Sequence, residues 1–432
     1  MLAKSKGYDV FVSDRNAIAL EYRQQLERAG IRFEEGQHTK KKILDSHLII
    51  KSPGIPDNAD IVRLAREADV KVVDEIEFAY SYTKAKIIAI SGTNGKTTTT
   101  LLTYHLLKLA GFKVGLAGNV GFSLAAQVVE DKYDYFVVEM SSFQLDGCYL
   151  CKPYISVLLN ITPDHLDRYD YKLQNYVASK FRLVQNADRN DHFIYNADNE
   201  LMSDWMASHD LSVNKAALSF DAKNGSYFDG AVMHFANGAT IAQADTSLVG
   251  PHNAMNTMAA VQVALIVGAD MQAIRDGLKT FKNAPHRLEY VETINDVRFI
   301  NDSKATNVDA VKYALNSFTQ PLIWIAGGVD KGNKYDLIMD EVNQKVKALV
   351  CLGKDNSKLR EAFHNQIVNM LETDNIKDAV REAMNYAQAH DVVLLSPACA
   401  SFDLFNNYED RGEQFKKAVE ELKEEFENKA IN

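Results

Sequence analysis

Short, almost uninterrupted apolar runs recur along the whole chain: DVFVSD, HLIIKSPG, KIIAISG, YDYFVVEMSS, YISVLLNIT, VRFIND, PLIWIAGG, KALVCLG and DVVLLSPA. Runs without polar alternation suit parallel strands covered on both faces. Amphipathic stretches separate them. The pattern therefore predicts βαβ units and the α/β class with mainly parallel sheets. With 432 residues, several domains are expected. Three segments suggest themselves: 1–83, a small α/β unit; 84–284, carrying the stretch SGTNGKT; and 285–432, beginning near NAPHRLE. The last ends in a docking helix with Phe415, Val419, Leu422 and Phe426 at helical spacing. The opening, MLAKSKGYDVFVSD, reads as part of a helix running at once into a second strand. A preceding strand with its Gly-rich turn is expected to be missing.

Composition narrows the function. The net charge of −10 argues against a general nucleic-acid or anionic-membrane binder. No apolar run approaches the roughly 20 residues of a membrane span, and the first residues lack a signal-peptide core, so a cytoplasmic protein is expected. The four cysteines are too few for a disulfide framework. Cys148 and Cys151 form a C-x-x-C without a second pair, which reads as structural.

The stretch SGTNGKT, residues 91–97, joins the strand KIIAI to a helix with Leu102, Leu106 and Leu109 on one stripe and Gly111 as its stop. It is shorter than the usual phosphate loop, because Gly92 stands only two residues before Gly95. A helix N-terminus offers free N–H groups and a favourable dipole to phosphate. Glycines allow close backbone approach, Lys96 supplies positive charge for the β- and γ-phosphates, and the Thr97 hydroxyl can ligate Mg²⁺. Acidic partners are offered at two further strand ends: Glu139 after YDYFVV, and Asp164, His165 and Asp167 in NITPDHLDRY.

The motifs GTNGKTT, VVEMSSFQL, NITPDHLDRY, YVASKFRLVQN and GPHNAMNTMAA together resemble the central ATPase domain of the Mur ligase family. PHRLE, FINDSKATN, GGVDKG and SPACASFDLFNNYEDRG narrow the likeness to members that join D-glutamate to UDP-N-acetylmuramoyl-L-alanine in peptidoglycan precursor synthesis. The resemblance implies three α/β domains: an incomplete Rossmann-like UDP-sugar domain, a central ATP-binding domain and a Rossmann-like amino-acid domain. It implies ATP and Mg²⁺ as cofactors, a monomer, and no nucleic-acid or membrane partner. Gly92, Thr93, Asn94, Gly95, Lys96, Thr97 and Thr98 would hold ATP phosphates, with Asn253, Arg287 and Asp302 as further nucleotide contacts. Thr97, Glu139, His165 and a carbamylated Lys180 would hold magnesium, and Lys96, Glu139, His165 and Lys180 would be catalytic. Lys304, Thr306, Lys331, Ser401 and Phe402 would receive D-glutamate. Asp14, Gly54, Asn119 and His165 would face the UDP substrate.

Lys180 shows what the likeness adds. By pattern it sits at the margin of the stripe Val177, Phe181, Val184, where a lysine ordinarily snorkels to water. Two other functions share some of these features. A folylpolyglutamate-synthetase-like ligase shares the central loop. A nucleotide-binding protein made inactive by the short front is a non-catalytic alternative.

Overall fold

The computed structural model describes residues 1–222, 225–248 and 250–431. They form two compact units, one of 1–248 with 253–281, the other of 249–252 with 282–432.

The first unit is built on a nine-stranded sheet. Strand Lys86–Ser91 is flanked by Tyr135–Glu139 and Ile155–Leu158 and parallel to both. Val114–Gly118 forms one edge, beyond Tyr135–Glu139. On the other side come His192–Asn196, Asn214–Ser219 and Ser226–Phe228, then the antiparallel strands Val232–His234 and Thr240–Ala242. Burial on two faces explains the unbroken apolar runs. Ile88 and Ile90 pack with Leu102, Leu106 and helix Pro251–Val267 on one face. Ile87 and Ala89 pack with Phe136, Val138, Tyr176 and Phe181 on the other. Leu109 departs from its expected stripe: it is exposed at the end of helix Lys96–Leu109, just before Gly111.

The first 83 residues contribute two parallel strand pairs, Phe11–Ser13 with Arg32–Glu34 and Leu48–Lys51 with Lys71–Asp74. Among the described residues no strand joins the two pairs. Helix Glu75–Tyr80 fastens this segment to the nine-stranded sheet. The buried Glu77 carboxylate accepts from the N–H groups of Leu150 (2.8 Å) and Cys151 (2.9 Å), and Ser123 Oγ donates to Glu75 (2.7 Å). Cys148 and Cys151 are buried free thiols in that joint.

The second unit holds a six-stranded sheet. Its order is Glu289–Ile294, Val297–Asn301, Val392–Leu395, Leu322–Ala326, Val346–Leu352, Asn369–Thr373, antiparallel only at the first pair. Helix Tyr408–Ile431 buries Phe415, Val419 and Leu422 against it, with Phe426 at the margin, as the spacing predicts. No helix among the described residues is long and apolar enough to cross a membrane.

Candidate active site

The carboxyl ends of strands Lys86–Ser91, Tyr135–Glu139 and Ile155–Leu158 lie side by side where the chain reverses its winding direction. The loop 92–95 leaves the first of them and enters helix Lys96–Leu109. Gly95 caps that helix at φ +83°, and a Cβ there would lie 2.3 Å from Asn256 Oδ1. Asn256 is fixed in turn, its Nδ2 donating to Asn253 Oδ1 (3.2 Å) on the same helix.

The strand Ile155–Leu158 side braces the loop. Asn94 N–H donates to Asn160 Oδ1 (2.8 Å), Asn160 Nδ2 donates to the Asn94 carbonyl (3.0 Å), and Thr93 N–H donates to the Asn160 carbonyl (2.9 Å). The Thr93 hydroxyl accepts from Thr162 N–H (3.0 Å) and meets Tyr176 OH at 3.1 Å. Thr97 and Thr98 are buried in the first helical turn. Asn160 and Tyr176 side chains thus fix the loop's shape.

Two lysines meet on one carbonyl. Lys96 Nζ donates to the Gly92 carbonyl (2.9 Å) and to that of Thr93 (2.7 Å). Lys180 Nζ donates to the same Gly92 carbonyl at 2.6 Å. Lys180 does not snorkel: it is 1% exposed, with no carboxylate among the described residues within ion-pairing distance. Burial, and then the Lys96 charge, hold its pKa well below the ordinary lysine value, partly opposed by Asp164 and Glu139. The helix stripe misled because Lys180 points into the strand-end cluster instead of along the surface.

Glu139, which ends strand Tyr135–Glu139, is 1% exposed. Asn119 Nδ2 donates to its Oε1 (2.8 Å), while its Oε2 is buried without a hydrogen-bond partner among the described residues. A buried carboxylate oxygen left over in this way calls for a cation. His165 sits in the left-handed region at φ +51°, its ring 5.1 Å from that of Phe143. Among the described residues no group of three or more His, Cys, Asp or Glu side chains could cage a metal. A cation here fits the magnesium habit of few protein oxygens plus phosphates and water.

The N-terminal residues named from the resemblance occupy two strand ends. Asp14 follows strand Phe11–Ser13 and accepts from Asn16 N–H (2.8 Å). Gly54 follows Leu48–Lys51, and Arg168 donates to its carbonyl (3.4 Å) and to that of Pro53 (3.2 Å). Arg168 lies 4.4 Å over the Phe143 ring, so the DHLDRY loop and the SPG loop are tied together.

The second unit gathers its own set. Asp302, Ser303 and Lys304 follow strand Val297–Asn301. Burial raises the Asp302 carboxyl to about 7, though Ser396 Oγ (2.9 Å) and Leu288 N–H (3.2 Å) donate to it. Lys304 lies 4.9 Å over the Tyr408 ring, and Ser401 is buried. Lys331 is exposed, and Phe402 is 73% exposed. Sequence reasoning missed Asn160, Tyr176, Asn256 and Arg411. Gly412 inside a helix was the available signal for the last, since glycine there implies a close neighbour.

Comparison with known proteins agrees with this geometry. Residues 1–61 match the MurD N-terminal domain, 90–264 the Mur ligase middle domain, and 286–399 the Mur ligase glutamate ligase domain. The UDP-N-acetylmuramoylalanine–D-glutamate ligase of Christiangramia forsetii is 48% identical over 427 residues, 98% of this chain and 96% of that protein. The protein of the same name from Cytophaga hutchinsonii is 48% identical over 430 residues, with the same coverage. A pseudomurein peptide ligase type C from Methanothermus fervidus shares the fold, with a TM-score of 0.63 and 20% identity over 98% of this chain and 96% of that one. By sequence over nearly its full length and by its three-domain α/β fold, the chain belongs to the Mur ligase family, among the UDP-N-acetylmuramoylalanine–D-glutamate ligases.

Proposed function

We propose that the chain joins D-glutamate to UDP-N-acetylmuramoyl-L-alanine at the expense of ATP, a step of peptidoglycan precursor synthesis. A carboxylate is a poor electrophile at neutral pH, so it must first be activated. The substrate carboxylate oxygen attacks the γ-phosphorus, the bond to ADP breaks, and an acyl phosphate results. The D-glutamate amine then attacks the acyl carbon, loses a proton and expels inorganic phosphate. Positioning and charge neutralisation supply most of the acceleration.

The observation that carries this reading is the cradle at 92–97, where the Lys96 and Lys180 amines share the Gly92 carbonyl. In use, Lys96 exchanges its loop carbonyls for β- and γ-phosphate oxygens, and the N-terminal turn of helix Lys96–Leu109 faces the same anion. Bound Mg²⁺ would spread the phosphate charge; Thr97, Glu139, His165 and a carbamylated Lys180 would hold it. The depressed Lys180 pKa supports that modification, since the neutral amine is the form that adds to CO₂, forming an N–C bond and releasing a proton. Lys304, Thr306, Lys331, Ser401 and Phe402 are proposed for D-glutamate, whose two carboxylates suit the lysines. Residues 1–83 are proposed as the UDP-sugar domain, with Asp14 and Gly54 there and Asn119 in the central one. The protein would act as a cytoplasmic monomer.

ADP release with the UDP substrate tests the assignment. D-glutamate should support turnover and L-glutamate should not. Turnover with L-glutamate in place of D-glutamate, or with a folate in place of the UDP substrate, would refute it.

A further inference from the structure

Helix Tyr408–Ile431 buries an arginine near its start. Arg411 is 1% exposed. Its Nε donates to Ser303 Oγ (3.0 Å), and its Nη2 donates to the carbonyls of Ser303 (2.8 Å) and Cys399 (3.3 Å). Its Nη1 donates to the carbonyls of Gly327 (3.3 Å) and Cys399 (3.2 Å). Ser303, Gly327 and Cys399 belong to three loops that leave three adjacent strands, Val297–Asn301, Leu322–Ala326 and Val392–Leu395.

A buried cation is ordinarily paired with a carboxylate. Arg411 has none within ion-pairing distance among the described residues; peptide carbonyls solvate it instead. Burial lowers its pKa to about 10, so it keeps its charge at neutral pH.

The neighbourhood is built around that guanidinium. Ala398, beside Cys399, is held in the left-handed region at φ +62°, and Asn333 Nδ2 donates to its carbonyl (3.1 Å). The next helical residue, Gly412, approaches so closely that a Cβ would lie 2.1 Å from His286 Nδ1. His286 is itself held at 2.9 Å by Asn301 Nδ2. The same three loops carry Lys304 and Thr306, Lys331, and Ser401.

We propose that Arg411 is a positioning residue that locks these three loops into one D-glutamate-binding surface without touching the amino acid itself. The proposal rests on the D-glutamate reading of the loops. A planar fork spreads five N–H groups over three nitrogens and so reaches four acceptors on three loops; a lysine ammonium has three N–H groups on one nitrogen.

The test uses the full chain and the variants Arg411→Met, Arg411→Lys and Arg411→Ala in steady-state ADP release. In all three the KM for D-glutamate should rise about tenfold or more, the scale of one lost charge-assisted hydrogen bond. The KM for the UDP substrate should stay within about twofold, because its proposed residues lie in the other unit. Added guanidinium ion at low millimolar concentration should lower the D-glutamate KM of Arg411→Ala and leave the wild type unchanged. An unchanged D-glutamate KM in Arg411→Lys would mean that charge alone suffices and would overturn the proposal. Equal rises in both KM values would also overturn it. Should the Met and Ala variants not fold, Ser303→Ala, which removes one acceptor, must show the same KM split. Failure of the ligase reading itself is distinct, since wild-type protein would then show no D-glutamate-dependent ADP release.

Discussion

Gly95→Ala is the sharpest perturbation of the phosphate cradle. The native φ of +83° lies in the region that side chains avoid, at a cost of about 1–2 kcal/mol. The new Cβ would also sit 2.3 Å from Asn256 Oδ1. That is about 1 Å inside ordinary contact. Asn256 cannot simply turn away without giving up its bond to Asn253. Overpacking of this kind costs about 1–3 kcal/mol. Together the two effects should lower stability by about 2–5 kcal/mol and the melting temperature by several degrees. Relief through backbone movement would displace the loop N–H groups, and a shift of about 1 Å costs on the order of 100-fold in rate. Coupled ADP release and thermal melting read the two effects separately. The double variant Gly95→Ala/Asn256→Ala should recover the steric part of the stability but not the φ part. A Gly95→Ala enzyme with wild-type ATP KM and melting temperature would refute the argument for this loop.

Lys180→Ala should lose at least about 100-fold in turnover and recover part of it with added acetate, measured by ADP release across an acetate titration; no recovery would count against the carbamate. Asp302→Asn tests the buried acid. Its folded pKa of about 7 against an ordinary 3.8 means that the folded state holds the proton more tightly. Stability contributed by that group is present below the unfolded value and falls away as pH rises from about 4 to 7, a difference of about 4 kcal/mol. Urea denaturation at pH 4.5 and 7.5 should therefore show a smaller loss on raising pH in the variant than in the wild type.

The sheets were legible because doubly covered parallel strands leave unbroken apolar runs: KIIAIS became strand Lys86–Ser91, and VVLL became Val392–Leu395. The phosphate loop was legible because strand, glycines, Lys96 and helix are contiguous. What the local pattern hid was long-range. Lys180 reads as a surface lysine until Gly92 is found 2.6 Å from its amine. Asn256 reads as one polar residue in an apolar helix until Gly95 is found against it. Arg411 lies in YEDRGEQFKK, a run that reads as solvated charge, and only the meeting of three strand-end loops gives it a partner. Contacts made across more than 80 residues of chain leave no periodicity to detect.

The most direct measurement follows the substrate carboxylate. UDP-N-acetylmuramoyl-L-alanine labelled with ¹⁸O in that group should transfer one labelled oxygen to inorganic phosphate in each turnover, read by mass spectrometry of the phosphate. Phosphate released without the label, while the amide product forms, would contradict activation by phosphoryl transfer.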